Sequence, residues 1–170
     1  MSLLHLAKSE LTAAIARGVR QCVLIGKRPA LDADMDPSLE VFTLDQAATE
    51  TLVDTLDHSR FDKLKASLFV WLGSGNRTID GMIANLHFIA SLPKGSGILL
   101  DYAIERTGLT AASAAASALD ALASRLASAE GTIHYLIQPP AVEALLRGVG
   151  FHHIKEQALE PKTRLVLATV

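Results

Sequence analysis

The sequence has few of the features that mark secreted, disulfide-bonded or membrane-spanning proteins. Cys22 is the single cysteine among 170 residues, so no disulfide can form within the chain. Although 49% of the residues are hydrophobic, they never form the run of about twenty apolar residues that a membrane span requires. Lys8, Glu10 and Arg17 interrupt the N-terminal apolar pattern, which is not typical of a secretory signal. We therefore predict a cytoplasmic protein.

Strong charge and recognisable hydrolase or metal motifs are also missing. The net charge of −2 predicts no general attraction to nucleic acid or to an anionic membrane. There is no G-x-S-x-G elbow and no Walker loop. His152 and His153 are adjacent on a predicted strand and so point to opposite faces, which is poor geometry for one metal ion. We therefore predict no metal site and no nucleic-acid or membrane partner.

Alternating strand and helix patterns predict an α/β fold with a mostly parallel sheet. Apolar strands are predicted at residues 22–25, 40–44, 67–72 and 97–102, and helices at 2–18, 46–57, 78–92, 110–129 and 141–147. A short polar turn separates the last two predicted strands, 151–157 and 164–169, which should therefore be antiparallel. The length predicts one domain over residues 1–170.

The clearest functional pattern is a glycine after the first strand and an acid after the second. Gly26 follows an apolar strand and Asp45 follows the next, as in the nucleotide-binding half of a Rossmann fold. The glycine lets the backbone approach a ligand closely, and the carboxylate can accept hydrogen bonds from both ribose hydroxyls. The intervening loop departs from this pattern, because Lys27, Arg28 and Pro29 occupy positions where small residues are usual.

Several segments resemble the leucine carboxyl methyltransferase family, which belongs to the class I S-adenosylmethionine-dependent methyltransferases. ARGVRQCVLIG at residues 16–26 is similar to the family's GvrQvVnLGAG, and VFTLDQ at 41–46 is similar to vfEvDqp. LFVWLG at 68–73 stands where the family has lfvaEGv, and PKGSGILLDY at 93–102 resembles pGSrlvfDY. Residues 131–151 resemble the family's tail. The resemblance implies a three-layer α/β sandwich that ends in an antiparallel hairpin.

The same resemblance implies a site for S-adenosylmethionine and a neighbouring pocket for a methyl acceptor. The residues that we predict to contact the cofactor are Gly26, Lys27, Arg28, Asp45, Gln46 and Gly73. Those that we predict to line the acceptor pocket are Trp71, Ser74, Asn76, Asp101 and Tyr102. These residues all follow or end predicted parallel strands, whose carboxyl ends meet at one edge of the sheet.

Departures from the family indicate a truncated and degenerate member. Residues 46–66 are too few for the family's usual third strand, its adenine-contacting acid and its flanking helices. Asp54 or Asp62 could replace that acid. Without a third strand the second becomes a sheet edge, which proteins either cover or use for association. A homodimer is therefore predicted, the alternative being that a loop or the helix at 46–57 covers the edge.

Three functions remain open at this point. The first is a divergent methyltransferase acting on an oxygen or carboxyl group of a small molecule. In the second, Lys27 and Arg28 bind a different, anionic ligand in the same crevice. The third is a catalytically inactive scaffold or subunit that retains only the fold.

Overall fold

The structure of the chain is a computed structural model that describes residues 3–26, 36–45, 52–72, 79–103, 139–160 and 163–170. The helices in these ranges are α1 (Leu3–Ala16), α2 (Leu52–Asp57), α3 (Ile79–Ala90) and α4 (Pro139–Val149). The strands are β1 (Gln21–Ile25), β2 (Glu40–Leu44), β3 (Ser67–Trp71), β4 (Gly97–Ala103), β5 (His153–Glu160) and β6 (Thr163–Thr169). The helix predicted at 110–129 lies outside the described residues.

The strands form one mixed sheet in the order β2-β1-β3-β4-β6-β5. β1 pairs in parallel with both β2 and β3, and β3 pairs in parallel with β4. β6 is antiparallel to both of its neighbours, β4 and β5. The predicted parallel set and the predicted antiparallel pair at the C-terminus are confirmed. Between β2 and β3, described residues 52–66 contain α2 and turns but no further strand.

Helices cover both faces of the sheet, which produces the predicted three-layer sandwich. Side chains alternate along β1 and β3, so that Val23 and Phe69 point to one face while Cys22 and Leu68 point to the other. We call the first the α3 face, because α2, α3 and α4 pack on it, and the second the α1 face. β1 and β3 are buried at every position, as their continuous apolar sequences predict.

The C-terminal elements differ from the prediction at their ends. β5 was expected over residues 151–157 but begins at His153 and continues to Glu160, with an irregularity between Ala158 and Glu160. Phe151 is buried in the core rather than paired in the sheet. α4 was expected over residues 141–147, yet it begins at Pro139, because proline is well suited to the first turn of a helix.

Buried polar side chains align the strands at the amino edge of the sheet. Gln21 Nε2 donates a hydrogen bond to Glu40 Oε2 at 3.1 Å, and Ser67 Oγ donates to Gln21 Oε1 at 3.2 Å. The Ser67 backbone N–H donates to Ser96 Oγ at 3.1 Å, which adds the turn before β4. Gln21 thus lies between β2 and β3, and a shift of register would leave its buried amide without partners.

The two sides of β2 differ in how they are covered. On the α3 face, four phenylalanines pack together with centroid distances of 5.6–6.4 Å; they are Phe42, Phe61, Phe69 and Phe88. On the α1 face, Val41 is 39% exposed. Among the described strands β2 has only β1 as a neighbour, so it forms one edge of the sheet, as expected for a fold without the third strand.

A close backbone contact between β4 and β6 leads to our first prediction. A Cβ atom added to Gly97 would lie 2.5 Å from the Ala168 carbonyl oxygen and 2.8 Å from Thr169 Cγ2. Because backbone on a central strand cannot move freely, Gly97→Ala should lower the free energy of unfolding by about 1–3 kcal/mol. Urea denaturation followed by circular dichroism measures this change.

Gly148→Ala is the matched control for Gly97→Ala. Gly148 lies in α4, and no atom lies within 4 Å of its added Cβ. Alanine favours a helix over glycine by about 0.5–1 kcal/mol, so this variant should be as stable as the wild type or more stable. Equal losses of stability in both variants would contradict the proposed steric constraint at Gly97.

Candidate functional site

The carboxyl ends of the parallel strands meet at one edge of the sheet. The register places Ile25 of β1 level with Leu44 of β2 and with Trp71 of β3, and Trp71 level with Leu100 of β4. After β1 the chain forms β2 on one side of it and then crosses to form β3 on the other side. Open parallel sheets bind ligands at such a reversal of strand order, beyond the carboxyl ends of the strands.

Gly26 makes the turn at this edge. Its φ is +102°, a region that favours glycine because a side chain would clash with the backbone. The Gly26 N–H donates a 3.0 Å hydrogen bond to the Leu44 carbonyl, which continues the pairing of β1 with β2 by one residue. A glycine at this position therefore has a conformational reason, the positive φ, in addition to the predicted one, which is close approach of a ligand to the backbone.

Asp45 lies next to this turn. It directly follows Leu44, whose carbonyl accepts the Gly26 hydrogen bond, and its side chain is exposed. The structure thus brings Gly26 and Asp45 together at adjacent strand ends, about 5 Å apart as strand spacing requires. The other residues predicted for the cofactor site lie outside the described residues; they are Lys27, Arg28, Gln46 and Gly73.

The residues predicted for the acceptor pocket do not all lie on one face of the sheet, and two of them are outside the described residues. Trp71 is only 2% exposed and packs in the core on the α3 face. Tyr102 is on the same face, whereas Asp101, its neighbour on β4, points to the α1 face and is half-buried. Trp71 and Tyr102 therefore share one side of the sheet, and Asp101 does not. Ser74 and Asn76 lie outside the described residues.

Tyr102 has two charged neighbours that are not among the residues predicted from the sequence. Arg164 on β6 is directly opposite Tyr102, and the Arg164 Nε lies 3.4 Å from Oε1 of Glu156 on β5. Arg164 is two residues before the buried Val166, so the alternation of side chains along β6 places both on the same face. This spacing is visible in the sequence. It does not predict the contact with Tyr102, because the face to which β6 directs each residue depends on its pairing with β4.

The two acids considered as substitutes for the adenine-contacting residue have different positions. Asp62 Oδ1 accepts a hydrogen bond from the Leu64 N–H at 2.9 Å, within a turn near Glu40 at the amino edge. It lies at the opposite end of the sheet from Gly26, so the alternative that involves Asp62 is wrong on geometric grounds. Asp54 is in the first turn of α2, which begins on the carboxyl side, and it remains a prediction.

Burial and charge both alter the ionisation of Tyr102. The side chain is 5% exposed, and this desolvation, with the nearby negative charge of Glu156, raises the pKa of the Tyr102 hydroxyl well above its ordinary value of 10.0. Glu156 raises the pKa of Tyr102 by its negative charge and also by a side-chain hydrogen bond that favours the protonated hydroxyl, although this contact falls outside strict hydrogen-bond geometry. The hydroxyl stays protonated and is a hydrogen-bond donor.

In the described ranges, no group of three or more His, Cys, Asp or Glu side chains is arranged to hold a metal ion. No helix within those same ranges is long and apolar enough to cross a membrane.

Solved structures identify the fold, although no family model and no curated protein matches the chain. A proposed O-methyltransferase from Nostoc punctiforme is 16% identical, with a TM-score of 0.57, over 99% of this chain and 56% of its own. A proposed methyltransferase from Thermobifida fusca is 14% identical, with a TM-score of 0.55, over 98% of this chain and 80% of its own. The S-adenosylmethionine-dependent methyltransferase SibL is 19% identical, with a TM-score of 0.50, over 97% of this chain and 55% of its own.

These similarities show that the chain has the fold of class I methyltransferases. The chain spans little more than half the length of the Nostoc protein and of SibL. The similarity covers nearly all of this chain.

The raised pKa of Tyr102 predicts a specific loss of stability at alkaline pH. An unfolded tyrosine releases its proton near pH 10, while the folded Tyr102 retains it, so the unfolded state binds fewer protons above that pH. The stability contributed by this difference is present below pH 10 and is lost as the pH rises through the folded pKa. The free energy of unfolding should therefore fall more steeply above pH 10 in the wild type than in Tyr102→Phe. Parallel pH profiles in the two proteins would contradict the assignment.

Proposed function

We propose that this chain binds S-adenosylmethionine at the carboxyl ends of β1 and β2 and transfers its methyl group to an oxygen or carboxyl group of a small molecule. The observation that carries the proposal is the Gly26 turn with its positive φ, placed beside Asp45 at the reversal of strand order. The fold, which is that of class I methyltransferases, supports it. The resemblance to the leucine carboxyl methyltransferase family favours an oxygen acceptor.

Gly26 and Asp45 have separate roles in this proposal. The absence of a Cβ at Gly26 lets a ligand approach the backbone where β1 ends, and the exposed Asp45 carboxylate accepts hydrogen bonds from the ribose hydroxyls. Lys27, Arg28, Gln46 and Gly73 remain predicted cofactor contacts.

For methyl transfer, the protein has mainly to position the methyl donor and the acceptor and to keep water away from them. The bound cofactor would supply an electrophilic methyl group on a sulfonium. Precise alignment of the acceptor with that methyl group can contribute several kcal/mol to catalysis without a protein nucleophile. The buried side chains of Ile25, Trp71 and Leu100 form an apolar layer beneath the strand ends. Ser74, Asn76 and Asp101 remain predicted acceptor contacts.

We further propose that residues 1–170 act as one domain in the cytoplasm. Cys22, the single cysteine, is buried in the core. The fold therefore depends on no internal disulfide and on no oxidising compartment.

Calorimetric titration with S-adenosylmethionine and S-adenosylhomocysteine tests the proposed site. The wild type should bind both. Gly26→Ala places a methyl group where the ligand approaches, and Asp45→Asn removes a charged acceptor, so each should weaken binding about tenfold or more. Absence of binding by the folded wild type would overturn the methyltransferase proposal. Affinity for phosphate or another small anion in its place would support the alternative of an anion-binding protein.

The chain offers a close control for each variant. Gly18 has a φ of +103°, almost the same as Gly26, but it ends α1 and has no atom within 4 Å of an added Cβ. Gly18→Ala and Gly26→Ala should therefore lose similar stability, about 1–3 kcal/mol, and only Gly26→Ala should lose cofactor affinity. Glu143→Gln, an exposed acid on α4, is the control for Asp45→Asn.

We also infer a homodimer formed through β2. This strand is the edge of the described sheet next to β1, and Glu40, Val41 and Thr43 are exposed along it. Edge strands present backbone groups that pair readily with a second strand, and a two-fold pairing of β2 with its copy would be self-complementary.

Light scattering coupled to gel filtration tests the dimer. The wild type should elute at twice the 18.1 kDa mass of the chain. Val41→Lys places a charge on this edge and should restore the monomer mass, whereas His153→Lys on the opposite edge strand should not. A wild-type mass of one chain across a hundredfold range of concentration would exclude the dimer.

A further inference from the structure

The two outer strands of the described sheet, β2 and β5, differ in how they are protected against further pairing. β5 carries the adjacent charges Lys155 and Glu156, and its pairing with β6 is irregular between Ala158 and Glu160. Charged side chains and irregularities of this kind hinder the addition of another strand to an edge. The stretch of β2 from Val41 to Leu44 has no charge, no proline and a regular register with β1. β2 is therefore the edge that can extend.

Exposed apolar side chains lie at the same edge. In the parts of the chain that the structure describes, the large hydrophobic side chains that are exposed are Val41 and Leu64. Leu64 is in the turn before β3, and its neighbour Lys65 forms an ion pair with Glu40, the first residue of β2, at 3.2 Å. Grouped apolar side chains at a surface are typical of a contact with another protein. The partner of this edge therefore has an apolar surface of its own.

The pairing of β1 with β2 shows which backbone groups of β2 point outward. The Glu40 N–H donates a hydrogen bond to the Arg20 carbonyl at 2.9 Å, so the backbone groups of Glu40 face β1. The polar backbone groups of successive residues point to alternate sides of a strand, so every second residue of β2 faces β1. Val41 and Thr43 lie between these residues. Their N–H and C=O groups therefore point outward, where no described strand pairs with them.

A second copy of the chain offers a matching arrangement of these groups. In an antiparallel pair, two outward-facing residues that lie opposite each other exchange both of their backbone hydrogen bonds. With a two-fold axis at Phe42, Val41 is opposite Thr43 of the partner subunit, and Thr43 is opposite the partner's Val41. This alignment uses both outward-facing residues of each strand. A shift by two residues would use fewer of them, and a shift by one would set outward-facing groups against inward-facing ones.

The same alignment also matches the side chains of the two copies. Phe42 is on the α3 face and becomes opposite the partner's Phe42, so the phenylalanine groups of the two subunits join. On the α1 face, the exposed Val41 gains a neighbour in Thr43 of the partner subunit. Glu40 is opposite Leu44 of the partner subunit, so no like charges face each other across the pair.

We propose that two copies of the chain pair antiparallel along β2 with Phe42 at the two-fold axis, and that each partner strand holds the Asp45 of the other subunit in position. Asp45 directly follows β2, so this alignment places it opposite the partner's Leu39. The carboxyl end of β2 thus lies against the amino end of the partner's β2. This inference rests on the proposed cofactor site and homodimer, and it adds the alignment and a role of the partner at the site.

Cysteine cross-linking tests the alignment. Opposite residues of an antiparallel pair have Cα atoms about 4.5–5.5 Å apart, which a disulfide can span, whereas diagonal neighbours are about 7–8 Å apart, which it cannot. On air oxidation with a copper–phenanthroline catalyst, Phe42→Cys should therefore form a covalent dimer. Val41→Cys alone and Thr43→Cys alone should not, but an equimolar mixture of the two should. Electrophoresis without reductant measures the product.

The buried Cys22 provides the control, because the wild type should remain unlinked. A covalent dimer from Val41→Cys alone, or from Thr43→Cys alone, would move the two-fold axis and overturn the alignment. No cross-link from any of the folded variants would show that β2 does not pair with a second copy. Val41 and Thr43 are exposed, so their mixture keeps the test valid even if Phe42→Cys is unstable.

Binding of S-adenosylhomocysteine separates this inference from the proposed function. The cross-linked mixture should bind it as the wild type does, whereas the monomer expected of Val41→Lys should bind it about fivefold or more weakly, with His153→Lys as the control. By reciprocity, the ligand should strengthen dimerisation by the same factor. Equal affinity in dimer and monomer would overturn the role of the partner at Asp45 and leave the cofactor site intact. The predicted cross-links without any binding of the ligand would support the alignment and overturn the proposed function.

Discussion

The pairing of β1 with both β2 and β3 is the constraint on which the rest of the structure depends. Every residue of β1 is buried, so its backbone groups must find their partners in the two adjacent strands. A slip of one residue would move Val23 and Ile25 from the α3 face to the α1 face and reverse the core packing. The polar contacts of Gln21 with Glu40 and Ser67 oppose that slip.

This pairing also creates the edge at which we propose a ligand site. With the strands in register at their amino ends, Gly26 and Asp45 emerge at adjacent positions, and β3 ends level with them. Polar side chains lie at both ends of the sheet. At the amino edge, Gln21, Ser67 and Ser96 take part in hydrogen bonds with one another or with neighbouring groups. At the carboxyl edge, the buried Tyr102 hydroxyl interacts with the Glu156 carboxylate, which also forms an ion pair with Arg164. Both edges therefore carry polar side chains that connect neighbouring strands.

Among the described residues no strand pairs with the outer side of β2, yet the core of the sheet is intact. The phenylalanine group built around Phe61 covers the α3 face beside β2. The exposed Val41 on the other face contrasts with the fully buried Cys22, its partner on β1. Burial therefore decreases abruptly from β1 to β2, which is why this edge is the one that we propose to associate.

The sequence by itself determined the order of strands and helices, the parallel set, the antiparallel C-terminal pair and the placement of Gly26 and Asp45 at strand ends. These features follow from local patterns. The apolar runs, the residues that end strands and helices, and the lengths of the connections can each be recognised within a short stretch of sequence. The end of β5 could not be obtained in this way, because its partner β6 decides how far the ladder extends.

Only the tertiary structure decided which side chains share a face. It separated Asp101 from Tyr102, placed Asp62 at the wrong end of the sheet for a cofactor contact, and brought Arg164 and Glu156 beside Tyr102. The physical reason is that these relationships depend on strand register and sheet order. Contacts between residues far apart in the chain are determined by the packing of the whole domain, which a local pattern does not contain.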